Sequence, residues 1–258
     1  MIDGVNIFGM DIKFYGAIIA LAFFIGVIIV SYFAKIKGFK KDIAYDLVII
    51  LFPLSIIGAR IYYVIFSGHS WTIREIIAIN SGGLAIYGGV IAGFFGVVIY
   101  SKIKKLNILK LADIIAPALI LGQSLGRWGN FFNQEAYGAI VENTKLQFFP
   151  YAVFIDQENA WHMATFFYES IWNLLGFAVL FYMLLKIKNN KGHIMFAYLI
   201  FYGVGRYIIE GFRTDSLFVA HYRVSQLLSL LLIFVGISFY IYRGYICYKD
   251  KKAKENIK

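Results

Sequence analysis

The sequence predicts an all-α integral membrane protein, a single domain built as a bundle of seven transmembrane helices. Of the 258 residues, 60% are hydrophobic and 16% are charged, whereas soluble domains average about 45–50% apolar and about 25% charged residues. Polar segments separate seven apolar stretches, and several approach the roughly 20 residues that a helix needs to cross the hydrocarbon core.

The predicted helices follow one another along the chain at 14–34, 44–66, 82–100, 111–126, 164–185, 193–210 and 223–243. The first is longer than the apolar core of a secretory signal, about 7–15 residues, so we predict an uncleaved helix. The fourth and sixth are shorter, as is typical of helices beside an internal cavity. The segment 127–163 is rich in aromatic residues, which predicts a folded outer segment rather than a disordered loop.

Basic residues predict the orientation of the bundle. Seventeen of the 25 lysines and arginines fall in the segments 35–41, 102–110, 186–191 and 243–258. The positive-inside rule assigns these segments to the cytoplasm. The N-terminus is then outside, the C-terminus is inside, and residues 244–258 form a basic cytoplasmic tail. The net charge of +10 therefore signals topology, and we expect no nucleic-acid partner.

The type of basic residue differs between the two predicted sides. The cytoplasmic set has sixteen lysines and one arginine, whereas the outer set has six arginines and two lysines. Lysine is a strongly hydrated point charge, while the planar guanidinium of arginine suits bidentate recognition of phosphate. The asymmetry predicts that an anionic group is bound at the outer face.

Two groups of polar residues are the main candidates for that site. Arg127, Asn130 and Glu135 lie among apolar neighbours at the end of the fourth helix, where a simple polar helix end is the alternative. Arg206 and Glu210 are four residues apart and therefore share a helix face. A charge within a membrane helix costs about 2.5–3.5 kcal/mol on insertion scales, which favours either pairing or a ligand. An ion pair without a catalytic part is the alternative reading.

Several further residues are weaker candidates. Arg213 follows Glu210 near the outer surface, and Arg60 is either a ligand contact or a snorkelling anchor. Glycine pairs flank Tyr87, so Gly88 and Gly89 line a cavity or pack helices. Tyr15 is also compatible with an interfacial tyrosine. The four histidines show no metal-ligand spacing, and a single cysteine makes no disulfide, so we expect no metal and no cofactor.

The run GRWGNFFNQEAYG at 126–138 resembles the signature of the prolipoprotein diacylglyceryl transferases. Other features of that family occur in the right order over about residues 12–235: FYG at 14–16, GARIYY at 58–63, GGLAIYGG at 82–89, TFFYES at 165–170, the stretch 205–213 and SQLLS at 225–229. The resemblance therefore covers nearly the whole chain.

The resemblance implies a reaction in the bacterial cytoplasmic membrane with the active site toward the outer face. The thiol of a prolipoprotein's lipobox cysteine attacks the glyceryl carbon of phosphatidylglycerol that bears the phosphate. A thioether forms and glycerol phosphate leaves, which is the first step of lipoprotein maturation. The implied partners are phosphatidylglycerol, the prolipoprotein signal peptide and membrane lipid.

The resemblance also implies roles for residues. Arg127 and Arg206 would bind the phosphate, Asn130 would contact the headgroup, and Tyr15 would position the lipid. Glu135 and Glu210 would orient the arginines. Beyond these carried-over positions, we predict Arg60, Arg213, Gly88 and Gly89 as further substrate-binding residues.

Tyr87 is a catalytic candidate that departs from the family pattern, since many members have histidine there. A tyrosine with a pKa near 10 is a poor base at neutral pH. Either Glu135 or Glu210 is the base, or the arginines lower the pKa of the thiol.

A lipid or anion transporter is the competing interpretation, because intramembrane arginines are also transporter features. Against it, the chain has no repeated halves, and its charges gather at one face. An intramembrane serine protease would need a serine–histidine pair within helices, and a metal-dependent phosphotransferase would need clustered aspartates. Neither pattern is evident in the sequence.

Overall fold

The computed structural model describes residues 4–7, 10–40, 42–69, 71–78, 82–188 and 191–255. Lys41 and the last three residues of the predicted basic tail lie outside these ranges. The chain is mostly helical, which confirms the all-α class, and three two-stranded hairpins accompany the helices. In chain order the elements are β1 (Gly4–Ile7), β2 (Met10–Lys13), α1 (Phe14–Ile36), α2 (Ile43–Phe66), α3 (Ile73–Ile77), α4 (Ile86–Ile103), α5 (Ile108–Asn133), β3 (Ala152–Ile155), β4 (Ala160–Met163), α6 (Thr165–Lys186), α7 (His193–Glu210), β5 (Phe218–Val219), β6 (Tyr222–Arg223) and α8 (Val224–Glu255).

Six of the seven predicted spans are confirmed as helices long and apolar enough to cross a membrane. Within the described ranges these are α1, α2, α4, α5, α6 and α8. The predicted span 193–210 forms α7 with the predicted ends but does not join this set. Its 18 residues include His193, Arg206 and Glu210, which lower its mean hydropathy. The seventh crossing and the orientation of the termini stay predictions.

Two predicted helix boundaries were wrong, and both bear on the candidate site. The fourth span is 26 residues long and not short, because α5 continues from Ile108 to Asn133. Arg127 and Asn130 therefore lie in its last two turns and not in a loop. The third helix begins at Ile86 and not at residue 82. Gly82 and Gly83 have φ of 84° and 71°, which a right-handed helix does not admit.

α8 continues beyond the last predicted span. It runs 32 residues from Val224 to Glu255, so residues 244–255 of the predicted basic tail are helical. A helix rises 1.5 Å per residue, and about 20 residues cross the hydrocarbon core. The length of α8 therefore exceeds what one crossing requires.

The chain divides into two compact units. One comprises residues 27–112 and contains α2, α3 and α4. In it α2 packs on α4 at very close range. A Cβ added to Gly58 would lie 2.7 Å from the carbonyl oxygen of Gly88, so only glycine fits at this crossing.

The other unit comprises the described residues up to Gly26 and those from Asp113 onward. α7 packs between α6 and α8, and the rings of Trp172 and Phe201 stack with centroids 4.7 Å apart. The buried carboxylate of Asp113 accepts hydrogen bonds from the backbone N–H groups of Gly192 (2.7 Å) and Met195 (2.8 Å). These satisfy donors that α7 leaves unpaired at its N-terminus, which fixes α7 against α5.

Residues 134–163 of the same unit are folded, in agreement with their aromatic content. β3 and β4 form an antiparallel hairpin in which Val153 pairs with His162. Val153, Ile155 and Phe166 form a small buried core, and Trp128 and Phe131 at the end of α5 pack against it. This core fixes the position of the C-terminal turns of α5.

Candidate active site

Two arginines from separate helices converge on one buried carboxylate. Glu169 of α6 accepts a hydrogen bond from Nη2 of Arg127 on α5 at 2.6 Å and from Nη1 of Arg206 on α7 at 2.9 Å. The Glu169 side chain is 3% exposed, whereas those of Arg127 and Arg206 are 20% and 13% exposed. The carboxylate is therefore buried behind guanidinium groups that remain partly open.

Glu210 adds a second carboxylate on the α7 side. Nη2 of Arg206 lies 2.6 Å from its Oε2, but the two atoms are not aligned for a hydrogen bond. We therefore describe the contact as an ion pair. The Arg223 side chain donates to the backbone carbonyl of Glu210, and Arg206 also reaches Ser225 Oγ at 3.4 Å. The cluster thus combines two arginines, Arg127 and Arg206, with two glutamates, Glu169 and Glu210.

Asn130 and Glu135 extend the cluster from Arg127. Nη1 of Arg127 donates to Asn130 Oδ1 at 3.3 Å. The amide nitrogens of Asn130 and Asn133 donate to Glu135 Oε1 at 2.8 Å and 3.2 Å. Glu135 therefore reaches Arg127 through Asn130, and its role of orienting an arginine stays a prediction that would act through Asn130.

Tyr15 lies beside the same turn of α5. A Cβ added to Gly129 would lie 2.4 Å from Cδ2 of Tyr15, so the aromatic ring rests directly on the glycine backbone. The ring of Phe14 contacts that of Phe132, with centroids 4.9 Å apart. These contacts place the start of α1 next to the turn that carries Arg127 and Asn130.

Arg213 lies at the edge of the cluster. Its Nε and Nη2 donate to the two carboxylate oxygens of Asp215 at 2.9 Å and 2.7 Å, and its Nε is 4.0 Å from Glu210 Oε2. Partial burial of Asp215 raises the pKa of its carboxyl, but the hydrogen bonds and charge of Arg213 outweigh this and lower the pKa below its usual range. Arg213 is therefore already paired with an ionised partner.

Arg60 has a different environment in the other unit. It is buried, and it donates to the backbone carbonyls of Glu75 (2.6 Å), Ile76 (3.1 Å), Gly82 (2.6 Å) and Gly83 (2.9 Å). A guanidinium has five N–H donors, so four are used to hold the segment between α2 and α4. Arg60 is thus not a snorkelling anchor, and its contact with substrate stays a prediction.

Tyr87, Gly88 and Gly89 lie in the first turn of α4, in the same unit as Arg60. Tyr87 is exposed, and its ring centroid is 6.3 Å from that of Tyr62 on α2. Gly88 is in tight contact with Gly58, which is the packing alternative named for the glycine pairs. The catalytic role of Tyr87 and the ligand contacts of the two glycines stay predictions.

Glu169 is the member of the cluster that sequence reasoning did not select. It is the single acidic residue of α6 and lies within the TFFYES run. A carboxylate within an apolar helix requires a partner, and the predicted site already held two arginines on other helices. An acidic residue in an apolar helix, together with two arginines predicted on other helices, is therefore the sequence feature that could have identified Glu169.

No group of three metal-ligating side chains is found in the parts of the chain that the structure describes. The residues of the cluster can supply electrostatic stabilisation. Two partly open guanidinium groups, held by buried carboxylates, can bind an anion and stabilise negative charge that develops on it.

Comparison with known proteins assigns the chain to a family. The family model described as prolipoprotein diacylglyceryl transferase matches residues 4–242. The chain belongs to the prolipoprotein diacylglyceryl transferase family. Its charged cluster on α5, α6 and α7 therefore lies within the matched region.

Three relatives show how similar the chain is to members of that family. Each is named phosphatidylglycerol–prolipoprotein diacylglyceryl transferase. The chain is 44% identical to the protein of Listeria innocua serovar 6a over 245 residues, which cover 93% of this chain and 88% of that protein. It is 42% identical to that of Clostridium kluyveri, with 92% and 94% covered. It is 44% identical to transferase 1 of Clostridium perfringens, with 90% of each covered.

Proposed function

We propose that the protein transfers the diacylglyceryl group of phosphatidylglycerol to the cysteine thiol of a prolipoprotein lipobox. The thiol sulfur forms a bond to the glyceryl carbon that bears the phosphate, and the bond between that carbon and the phosphate oxygen breaks. The products are a thioether and glycerol phosphate, and the thiol proton is lost to a base. This is the first step of lipoprotein maturation.

The bridge from Arg127 through Glu169 to Arg206 is the observation that carries the proposal. A phosphodiester is an anion with several acceptor oxygens, and it gains charge as the carbon–oxygen bond breaks. Guanidinium groups that are already oriented stabilise such charge without reorganising during the reaction. Glu169 supplies that orientation, because it engages one nitrogen of each guanidinium from the buried side.

The other polar residues of the cluster support this role. Asn130 lies between Arg127 and Glu135 and is suited to contact the glycerol headgroup. Tyr15 rests on the same turn and would orient the lipid, while Arg213 would contact a more exposed part of the substrate. Gly88 and Gly89 remain candidate substrate contacts, whereas the four carbonyl bonds of Arg60 favour a structural role over its predicted substrate contact.

Activation of the thiol has two candidate routes. Only the thiolate is a good nucleophile, and a free cysteine has a pKa near 8.5. A cationic environment lowers that pKa, and the partly open guanidinium groups would supply it. Tyr87 is the candidate hydroxyl for proton transfer, and Glu135 and Glu210 are the candidate carboxylates.

We further propose seven crossings in the bacterial cytoplasmic membrane, with the N-terminus outside and the cluster toward the outer face. The lysine-rich segments on one side and the arginines on the other support this orientation. The position of α7 between α6 and α8 supports its role as a seventh crossing. The pairing of Arg206 with Glu169 and Glu210 reduces the cost of placing charges within it.

The experiment is transfer by the purified protein reconstituted with phosphatidylglycerol and a lipobox peptide. We expect a peptide that gains the mass of one diacylglyceryl group, and glycerol phosphate released in equal amount. A peptide with serine in place of the lipobox cysteine is the matched control and gains nothing. Movement of lipid between leaflets without peptide modification would support a transporter and contradict the proposal.

A further inference from the structure

The segment 134–138, here called the Glu135 loop, has a strained backbone. Gln134 and Ala136, on either side of Glu135, have φ of 51° and 60°. Residues other than glycine rarely adopt this left-handed region, and they keep it only where surrounding contacts impose it. The position of the Glu135 carboxylate therefore depends on what holds the loop.

Contacts from outside the loop hold both of its ends. The Gln134 side chain exchanges two hydrogen bonds with Asp156, at 2.7 Å to its carboxylate and 2.8 Å from its backbone N–H. Thr165 Oγ1 donates to the carbonyl of Ala136 at 2.6 Å. The backbone N–H of Gly138 donates to the carbonyl of Met163 at 2.9 Å. The loop is thus fastened to the β3–β4 hairpin and to the start of α6.

His162 of β4 makes a further contact with the loop and is fully buried. Its Nδ1 lies 2.8 Å from the carbonyl oxygen of Gly138. A carbonyl oxygen only accepts, so Nδ1 must carry the proton and donate. This hydrogen bond adds to the contacts that hold the C-terminal end of the Glu135 loop.

Glu158 and Tyr137 flank the His162 ring. Nε2 lies 3.0 Å from Glu158 Oε2, but the two atoms are not aligned for a hydrogen bond. The Tyr137 hydroxyl donates to the other oxygen of that carboxylate. The Tyr137 ring packs against the imidazole with centroids 4.6 Å apart. The hydrogen bond to Glu158 raises the pKa of Tyr137 to about 12, so this hydroxyl remains a donor throughout the neutral range.

We propose that His162 is a positioning residue for the transferase reaction, acting through its Nδ1 hydrogen bond to Gly138. The bond fixes the Glu135 loop, Glu135 holds Asn130, and Asn130 faces Arg127. The inference rests on the proposed function, in which Arg127 and Asn130 bind the phosphatidylglycerol headgroup. Loosening the loop would therefore weaken recognition of the lipid and leave recognition of the peptide unchanged.

Two amide substitutions test the inference. In His162→Asn the amide nitrogen lies near the place of Nδ1 and can donate to Gly138, whereas in His162→Gln it lies near the place of Nε2 and cannot. We expect His162→Gln to raise the KM for phosphatidylglycerol about fivefold and to lower kcat about tenfold, with an unchanged KM for the lipobox peptide. We expect His162→Asn to stay within about twofold of the parent protein in all three constants.

Phe154→Ala is the matched control for simple loss of hairpin stability. Phe154 pairs with Trp161 across the hairpin, and neighbouring residues of a strand point to opposite faces. The control removes packing on the face opposite His162. An unstable hairpin reduces the amount of active enzyme, so Phe154→Ala should lower apparent kcat and the melting temperature while both KM values stay unchanged.

Two results would overturn the inference. One is a His162→Gln protein whose KM for phosphatidylglycerol equals that of the parent; the other is equal impairment of the Asn and Gln variants. Failure of the proposed function gives a different result, because the parent protein would then not modify the peptide at all. In that case the affinities of the two variants for phosphatidylglycerol still show whether the hydrogen bond to Gly138 affects lipid binding.

Discussion

The arginines of the two units of this protein differ in their hydrogen-bond partners and in their exposure. Arg60 is buried and directs four of its N–H groups at uncharged backbone carbonyls. Arg127 and Arg206 instead face a shared carboxylate and remain partly exposed. The first arrangement uses the donors of the guanidinium to hold a polypeptide segment, and the second leaves part of each guanidinium open, where the proposed function places the phosphate. Under that proposal, the partners and the exposure of an arginine, rather than its presence in an apolar helix, distinguish an arginine that binds a ligand from one that holds the backbone.

The largest expected effect comes from replacing the planar guanidinium of Arg127 or Arg206 by the ammonium group of lysine. We expect Arg127→Lys and Arg206→Lys each to lower kcat/KM for phosphatidylglycerol about 100- to 1000-fold, the range found when one donor to a developing anion is removed. Steady-state transfer of a lipobox peptide measures this. Full activity in both lysine variants, with unchanged melting temperatures, would mean that bidentate recognition is not required.

The next largest effect on activity is expected for Glu169→Gln. The amide keeps the volume of the side chain but removes the charge that holds both guanidinium groups in place. We expect kcat to fall about 30-fold, which corresponds to about 2 kcal/mol of transition-state stabilisation, while the KM for phosphatidylglycerol does not rise. Glu142→Gln, at an exposed glutamate of the outer segment, is the control. Retention of full kcat in Glu169→Gln would show that the bridge does not orient the arginines.

Arg60→Lys should instead affect stability. A lysine has three donors and no planar fork, so at least one of the four carbonyls loses its partner, at a cost of about 1–3 kcal/mol. We expect a lower melting temperature and a KM for phosphatidylglycerol within about twofold of the parent value. Arg74→Lys, at an exposed arginine of α3, is the control. A strongly raised KM in Arg60→Lys would support the predicted substrate contact and end the contrast with Arg127.

The smallest effect concerns the ion pair of Arg213 and Asp215. The pKa of Asp215 is lowered in the folded protein, so its contribution to stability is present above the unfolded value of about 3.9. That contribution is lost as the pH falls through the lower folded value. We therefore expect a melting-temperature difference between the parent and Asp215→Asn at pH 6 that shrinks in acid. A melting-temperature difference that grows in acid would contradict the lowered pKa of Asp215.

Most of the apolar helical spans could be predicted from the sequence because they depend on local composition. Five of the seven predicted spans have ends within about four residues of the helices in the structure, and α5 and α8 continue well beyond their predicted ends. α5 extends to Asn133 because Trp128 and Phe131 pack on the core beneath the β3–β4 hairpin. That packing comes from residues more than 20 positions away, so no window along the sequence contains it.

The partners within the site could be predicted only in part for the same reason. The pairing of Arg206 with Glu210 follows from helical spacing, and the structure contains it. The bridge through Glu169 and the route from Glu135 through Asn130 depend on how separate elements meet. The carbonyl contacts of Arg60 likewise require the backbone turn at Gly82 and Gly83, which spacing alone does not reveal.

The central claim is that the two arginines joined by Glu169 hold the phosphate of the lipid donor. Equilibrium binding of phosphatidylglycerol to the purified protein tests it most directly, without relying on turnover. The account predicts that Arg127→Lys and Arg206→Lys each weaken binding at least about tenfold, equal to about 1.4 kcal/mol, while Arg60→Lys binds like the parent protein. Parent-like binding by both cluster variants would contradict it.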